Sequence, residues 1–476
     1  VDRGVDRVDI ADQAHPFVNT MKPSFRPFGS GVTFWVLVAV WAVLTLTLLV
    51  AIPTEARFTP DSSDYTRPAR ILAAALQGDE TSAMSAGRPL LYPVVIATAM
   101  LVDTNFVPLV VGFQMGLLLL TAWIAGHAAE RHLPGHGIWV FALMLANPNG
   151  WMWAQLVLSD TLFAFLFTAA FAAGLAWLKQ PRWPVAVLLG LLLGAASLTR
   201  VEPKYLVYLL PLALPLLAWA GGAGRLWLRH LAAGVLVVLL WQGVTASGHT
   251  IGESVFGASD KSWAINDFLR DNLHWLLYYQ DTSQSFESME AEVLSRVKSF
   301  RDAHCTGLTR DACAGAEFNF LLASMAGQDP GLLLYAAARA SLTFFVGADS
   351  SVFQELLDWR PREEESIFWT GSDISMLTMI KHNFSQAHPA GIALTVSMLG
   401  FALVMRLAGL VGLFALVRWR RWDLLLLLAA VIAYMATVHL FLGRSRYRLP
   451  AEMPLLMLAV SGFVWMRVWL GTRRTA

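Results

Sequence analysis

Long apolar runs separated by short polar turns dominate the chain. Ten of them read as membrane-crossing helices: 32–52, 106–126, 137–154, 161–178, 184–199, 205–220, 231–247, 390–417, 423–442 and 449–466. The criterion is length, because a hydrocarbon core of about 30 Å takes roughly 20 apolar residues in a helix. Two shorter runs are ambiguous. Residues 90–102 contain Pro93 and fall below spanning length, and 331–347 carry Arg339 at their middle, an expensive place for a charge in lipid. Residues 285–303 have helical spacing of apolar residues with charges between them, which predicts a surface helix.

Charge placement selects among topologies. With the N-terminus inside and neither short run crossing, the inner turns carry Arg131, Lys179 with Arg182, Arg225 with Arg229, Arg418 with Arg420 and Arg421, and the tail Arg467, Arg473 and Arg474. Every inner turn is then basic, as the positive-inside rule requires. The short runs are therefore expected in the outer interface; if both crossed, the count would be twelve with the same final orientation. The fold class expected is all-α: a polytopic bundle of about 10–12 transmembrane helices with interfacial helices and a helical extracytoplasmic segment. Its parts are a cytoplasmic tail (1–31), a transmembrane catalytic module (32–247) including the outer loop 53–105, an extracytoplasmic segment (248–389), and the C-terminal helices with a cytoplasmic tail (390–476). Arg406, deep in 390–417, fits no simple span and predicts a tilted, broken or cavity-lining helix.

Composition narrows the classes. The chain of 476 residues is 56% hydrophobic and 14% charged, against about 25% charged in a soluble domain. A disordered protein and a plain cytosolic enzyme are excluded. The formal charge is +1, so no global field attracts polyanions and no nucleic-acid partner is expected. Nineteen tryptophans match the aromatic belts of membrane interfaces, and the GWMW run (150–153) reads first as such an anchor. Residues 1–31 mix four Asp with four basic groups and have no apolar core, so they do not read as a signal peptide. Cys305 and Cys313, eight apart on the predicted oxidising side, suit a local disulfide, with two free thiols as the alternative.

Polar residues cluster at the predicted outer ends of the helices. They are Asp61, Asp64 and Tyr65; Arg88 and Tyr92; Ser159 and Asp160; Arg200, Glu202 and Lys204; and Arg444, Arg446, Tyr447 and Arg448. Outer arginines run against the positive-inside bias, and a phosphate is their natural counterion because guanidinium matches it in a bidentate fork. Carboxylates beside phosphate-binding cations suit group transfer from a lipid-linked phosphate to a hydroxyl, with a carboxylate as general base. Each residue also has a bland reading. Asp61 is also a candidate helix cap, Asp160 a helix-dipole partner, Arg88 a head-group anchor, Arg200 and Lys204 snorkelling anchors, and Tyr65 and Tyr92 belt aromatics.

Asp61-x-x-x-Tyr65, an amphipathic run (ARILAAAL), Arg88-Pro89-x-x-Tyr92, LSDTLF (158–163), LTRVEP (198–203) and GRSRYRLPAEMPLL (443–456) occur in that order. The series resembles the polyprenyl-phosphate-sugar-dependent glycosyltransferases of the GT-C superfamily, which include aminoarabinose and protein mannosyltransferases. The resemblance spans 32–466, weakens in 248–389 and does not name the sugar. It implies an inverting transferase acting on the extracytoplasmic face of the cell membrane. Its partners would be a polyprenyl-phosphate sugar donor, a lipid, glycan or glycolipid acceptor, and membrane lipids. It carries the catalytic Asp to Asp61, with Asp64 competing for that role, and a second acidic residue to Asp160. Donor-phosphate binding falls on Arg88 and Arg200, with Lys204, Arg444, Arg446 and Arg448 as further candidates, and substrate contact on Tyr65, Tyr92, Glu202 and Tyr447. No cofactor is identified, and the divalent-metal sites of some members are not recognisable. A lipid or oligosaccharide transporter or flippase, and a ligase or polymerase using a diphosphate donor, remain the competing classes.

Overall fold

The computed structural model describes residues 31–78, 89–222, 224–256, 264–281, 284, 286–347, 350–359, 388–439, 441 and 445–473. The predicted tail, Arg88 and Arg444 thus lie outside the described residues, apart from Gly31. Those described form α-helices and short 3-10 turns, with no strand among them. The first half comprises α1 (Val32–Ala51), α2 (Ser63–Gln77), α3 (Leu91–Val102), α4 (Val107–His132), α5 (Gly137–Ala146), α6 (Pro148–Ala154), α7 (Asp160–Lys179), α8 (Trp183–Ser197), α9 (Pro203–Ala220) and α10 (Trp227–Phe256). Then follow α11 (Ala264–Gln280), α12 (Phe286–His304), α13 (Arg310–Ala326), α14 (Pro330–Val346), α15 (Ser350–Leu356), α16 (Pro389–Arg418), α17 (Trp422–Val438) and α18 (Glu452–Arg473).

Among the described residues, seven helices are long and apolar enough to cross a membrane: α1, α4, α7, α9, α10, α16 and α18. They leave broad apolar faces uncovered. Of α1 only Phe34 and Thr45 are buried, and Val50 is 89% exposed. Apolar surface of that extent is stable against hydrocarbon rather than water, so this is a multi-pass membrane protein. The remaining three expected spans differ in length. Residues 137–154 form two helices, because Pro148 has no N–H to continue α5 and the Asn147 side chain starts α6 by accepting from Asn149 N at 3.1 Å. Helices α8 and α17 have 15 and 17 residues, slightly under a full crossing.

Close packing holds the bundle together where lipid gives no hydrophobic drive. Helices α16 and α18 cross at Gly412 and Gly462, where an added Cβ would meet Leu458 O at 1.9 Å and Ala408 O at 2.0 Å. The two ends of the bundle are chemically distinct. Asp160 begins α7 and Lys179 ends it, about 28 Å apart at 1.5 Å per residue. Lys179 donates to Arg131 O at 2.7 Å, and Arg421 to His132 O at 3.4 Å, so the basic turns gather at one end.

The other end carries helices α11 to α15, and both short apolar runs belong to it. Helix α3 has 12 residues and starts beside the end of α8, Leu91 N donating to Leu198 O at 2.8 Å. Helix α14 joins a second core with α11, α12 and α13, built on Leu273, Leu276, Val293, Leu321 and Ala336. Its Arg339 lies over the Tyr279 ring, 4.8 Å from the centroid. The amphipathic run 285–303 forms α12, and a disulfide joins Cys305 to Cys313 behind it.

Candidate active site

The loop after α1 is shaped by a buried arginine. Arg57 donates through Nη2 to Leu48 O, Leu49 O and Ile52 O at 2.9, 3.2 and 3.1 Å, gathering the carbonyls at the helix end. Its Nη1 donates to the Gln155 side chain, and its carbonyl accepts from Val157 N at 3.0 Å. Burial lowers its pKa to about 10, so it stays charged at neutral pH. The next turn, 60–62, is capped reciprocally by Thr59 and Ser62, with Pro60 at its first position. The capping role considered for Asp61 thus falls to its neighbours, and its carboxylate meets Arg446 of the turn before α18.

There the 3-10 segment Ser445–Ala451 delivers Arg446. Arg446 Nη1 donates to Asp61 Oδ2 at 2.8 Å, while its Nε lies 3.8 Å from Asp160 Oδ1. Asp160 Oδ1 also accepts from Arg200 Nη1 at 2.7 Å, and Arg200 Nε donates to Glu202 Oε1 at 2.6 Å. Five sequence-predicted residues (Asp61, Asp160, Arg200, Glu202 and Arg446) therefore meet in one group, drawn from four separate stretches of chain. Tyr447 lies within it: the Arg200 and Arg446 guanidiniums are 5.4 and 5.0 Å from its ring centroid.

Three carboxylates here face two guanidiniums among the described residues. Burial opposes the charge on Arg200, but Glu202 and Asp160 outweigh it and raise its pKa above the ordinary value. The side chain of Asp160 is 4% exposed and that of Asp61 is 36% exposed. Asp160 Oδ2, Arg446 Nε and His439 Nε2 are buried with no hydrogen-bond partner among the described residues. Such orphaned groups are costly, and a substrate or water would satisfy them. Among the described residues, no three His, Cys, Asp or Glu are placed to hold a metal ion.

The other predicted residues fall around this group. Asp64 and Lys204 are exposed in the first turns of α2 and α9. Tyr65 and Tyr92 are buried and pack edge to face at 5.2 Å. Tyr65 shares a 2.9 Å hydrogen bond with the Ser159 hydroxyl. Tyr92 donates to Gln114 at 2.9 Å, and Gln114 holds Ala154 O and Leu156 O at 3.1 and 2.7 Å. Both rings thus brace the segment leading to Asp160. Arg448 is turned elsewhere: it donates to Glu452 at 2.6 Å and to Phe344 O and Gly347 O at 2.6 and 3.0 Å. Glu452 also accepts from Arg406 at 3.1 and 3.2 Å, which resolves the misfit of that arginine as a buried two-arginine clamp.

Three residues in or beside the site were not assigned to it from the sequence. Arg57 carries no signal in a polar loop. His439 stacks on Tyr447 at 3.9 Å and sits 4.0 Å from Glu202; a histidine within the apolar run 423–442 was a legible signal. Trp153, expected as an interfacial anchor, is instead 5% exposed and lies 6.0 Å from Arg446.

Fold and site define a polytopic, all-helical membrane protein with a largely buried carboxylate–guanidinium group at one end. Among solved structures the chain is similar to the crystal structure of ArnT from Cupriavidus metallidurans bound to undecaprenyl phosphate. The identity is 15%, the TM-score 0.39, and the match covers 91% of this chain and 78% of that one. No protein-family model matches the chain, and no curated protein does.

Proposed function

We propose that the protein is a membrane glycosyltransferase of the GT-C type, moving a sugar from a polyprenyl-phosphate donor to a hydroxyl of an envelope lipid, glycan or glycolipid. The observation that carries this reading is the bridging of Asp61 and Asp160 by Arg446, at 2.8 and 3.8 Å. A base must reach its acceptor, and Asp61 is the carboxylate of the pair with substantial exposure. It takes the acceptor proton as the hydroxyl oxygen attacks the anomeric carbon, with inversion. The phosphate leaves as an anion that needs little acid assistance, and Arg446 and Arg200 stabilise its charge. Asp160 holds both guanidiniums in place. The order of motifs from Asp61 to Glu452 supports the same chemistry, and the Cys305–Cys313 disulfide fits an oxidising, extracytoplasmic location for this end.

The test is an assay of purified protein with a panel of polyprenyl-phosphate sugars, comparing wild type, Asp61→Asn and Asp64→Asn. Loss of the base costs about 10²–10⁴ in turnover, so Asp61→Asn is expected to lose that much while still binding donor. Wild-type turnover in Asp61→Asn would remove the assignment, and a comparable loss in Asp64→Asn alone would move it there.

A further inference from the structure

Away from the carboxylate group, at the end where the turn arginines gather, an open-sided recess of about 80 Å³ lies between α4 and α7. On α4, Trp123, His127 and Arg131 recur every four residues and so share one face. On α7, Ala172, Leu175 and Ala176 form the opposite wall. The small side chains leave width between two helices that pack closely elsewhere. Trp123 and His127 stack at 5.8 Å with an interplanar angle of 11°, which keeps their wall flat along the groove.

Charge at the mouth is net positive. Arg131 and Lys179 are exposed there, and Arg421 reaches the neighbouring His132 carbonyl. The nearby acids are engaged elsewhere: Glu130 accepts from Gly135 N and Gly137 N at 2.6 and 2.8 Å, and Asp423 pairs with Arg421 at 3.3 Å. An apolar slot in the membrane with a cationic rim has the two halves of a lipid's chemistry. A free anion would leave the slot unfilled, and a bare hydrocarbon would leave the rim uncompensated.

We propose that this groove is a binding site for one anionic phospholipid, its phosphate at Arg131 and Lys179 and an acyl chain along the alanine wall toward Trp123. The inference is independent of the sugar-transfer reading, because no residue of the carboxylate pocket takes part. Basic pockets between helices at the inner membrane face favour anionic head groups for the same electrostatic reason.

Native mass spectrometry of the full-length protein in detergent tests it, titrating phosphatidylglycerol and phosphatidylcholine with matched acyl chains. One phosphatidylglycerol per protein should be retained, with a preference of at least about ten-fold over phosphatidylcholine. Ala172→Leu with Ala176→Leu fills the slot and keeps every charge; Arg131→Gln with Lys179→Gln keeps the slot and removes the rim. Each pair should abolish the saturable lipid while leaving glycosyl transfer unchanged. Should the leucine pair misfold, the exposed rim pair still decides the matter. Equal retention of both lipids, retention unaffected by the rim pair, or equal displacement by inorganic phosphate would overturn the proposal.

Discussion

Two clusters of arginine and carboxylate are anchored on α18 and its leading turn, one through Arg446 and the other through Arg448 and Glu452, and they are built to opposite ends. In the first, Asp61, Asp160 and Glu202 face Arg200 and Arg446, three acids against two bases, with orphaned buried atoms and a partly open carboxylate. In the second, Glu452 is held between Arg406 and Arg448. The spare guanidinium N–H groups there close the carbonyls that end α14, at Phe344, Phe345 and Gly347. Its carboxylate is 1% exposed. The contrast teaches that charge density alone does not mark an active site. Access to a carboxylate does: Asp61 is partly open, whereas Glu452 is closed in by its two arginines, even though Arg406 Nη1 also lacks a partner among the described residues and lines a small recess.

The sharpest way to break this comparison is to neutralise one carboxylate in each cluster. Glu452→Gln leaves two buried guanidiniums without a counter-charge and is expected to cost about 3–5 kcal/mol of stability. Asp61→Asn removes half of a partly exposed pair, worth about 0–1 kcal/mol, while lowering turnover by orders of magnitude. Thermal unfolding in detergent beside the transfer assay separates the two effects. If Glu452→Gln unfolds like wild type but loses turnover, the second cluster is catalytic and the distinction fails.

A smaller effect is expected at the framework of the first cluster. Arg57→Met keeps the stem but removes the donor to the carbonyls of Leu48, Leu49 and Ile52 and to the Gln155 side chain, an expected loss of about 1–3 kcal/mol. Because Arg57 braces the segment before Asp160 without touching the pocket, stability should fall more than donor affinity. A donor-binding defect at wild-type stability would place Arg57 in the site instead.

Much of this was legible before any coordinates, and the misses have physical causes. Apolar periodicity marks helices, so α1, α4, α7 and α16 begin and end within a few residues of the runs that predicted them, except where α4 continues to His132. The order of motifs singled out Asp61, Asp160, Arg200 and Arg446, which meet. It also grouped Arg448 with Arg446, since adjacency along a chain says nothing about direction around an axis. On a 3-10 turn two positions differ by about 240°, and that rotation sends Arg448 to Glu452. Arg406 looked misplaced because a buried ion pair becomes visible only when its partner, 46 residues away, is brought beside it. The break at Asn147–Pro148 was readable from the proline and was submerged by the hydropathy around it.

The gentlest discriminator is pH, and it acts on the first cluster through His439. Burial, followed by the charges of Arg200 and Arg446, holds the pKa of His439 well below 6.5. Above pH 6.5 the ring is neutral in both folded and unfolded chains and contributes nothing to the pH dependence. As pH falls below that value the unfolded chain binds a proton that the folded chain refuses. Stability then declines, by at most about 1.4 kcal/mol per pH unit for one proton. Between about pH 6.5 and pH 5 most carboxylates are still ionised, so the histidine term can be isolated by comparing wild type with His439→Gln. Unfolding midpoints measured in small pH steps should give the variant a shallower acid slope, by nearly one proton. The same slope in both proteins would mean that His439 takes up its proton in the folded chain, pairing with Glu202 at 4.0 Å. The pocket would then be balanced, three bases against three acids, rather than the acid-rich group that the comparison with Glu452 requires.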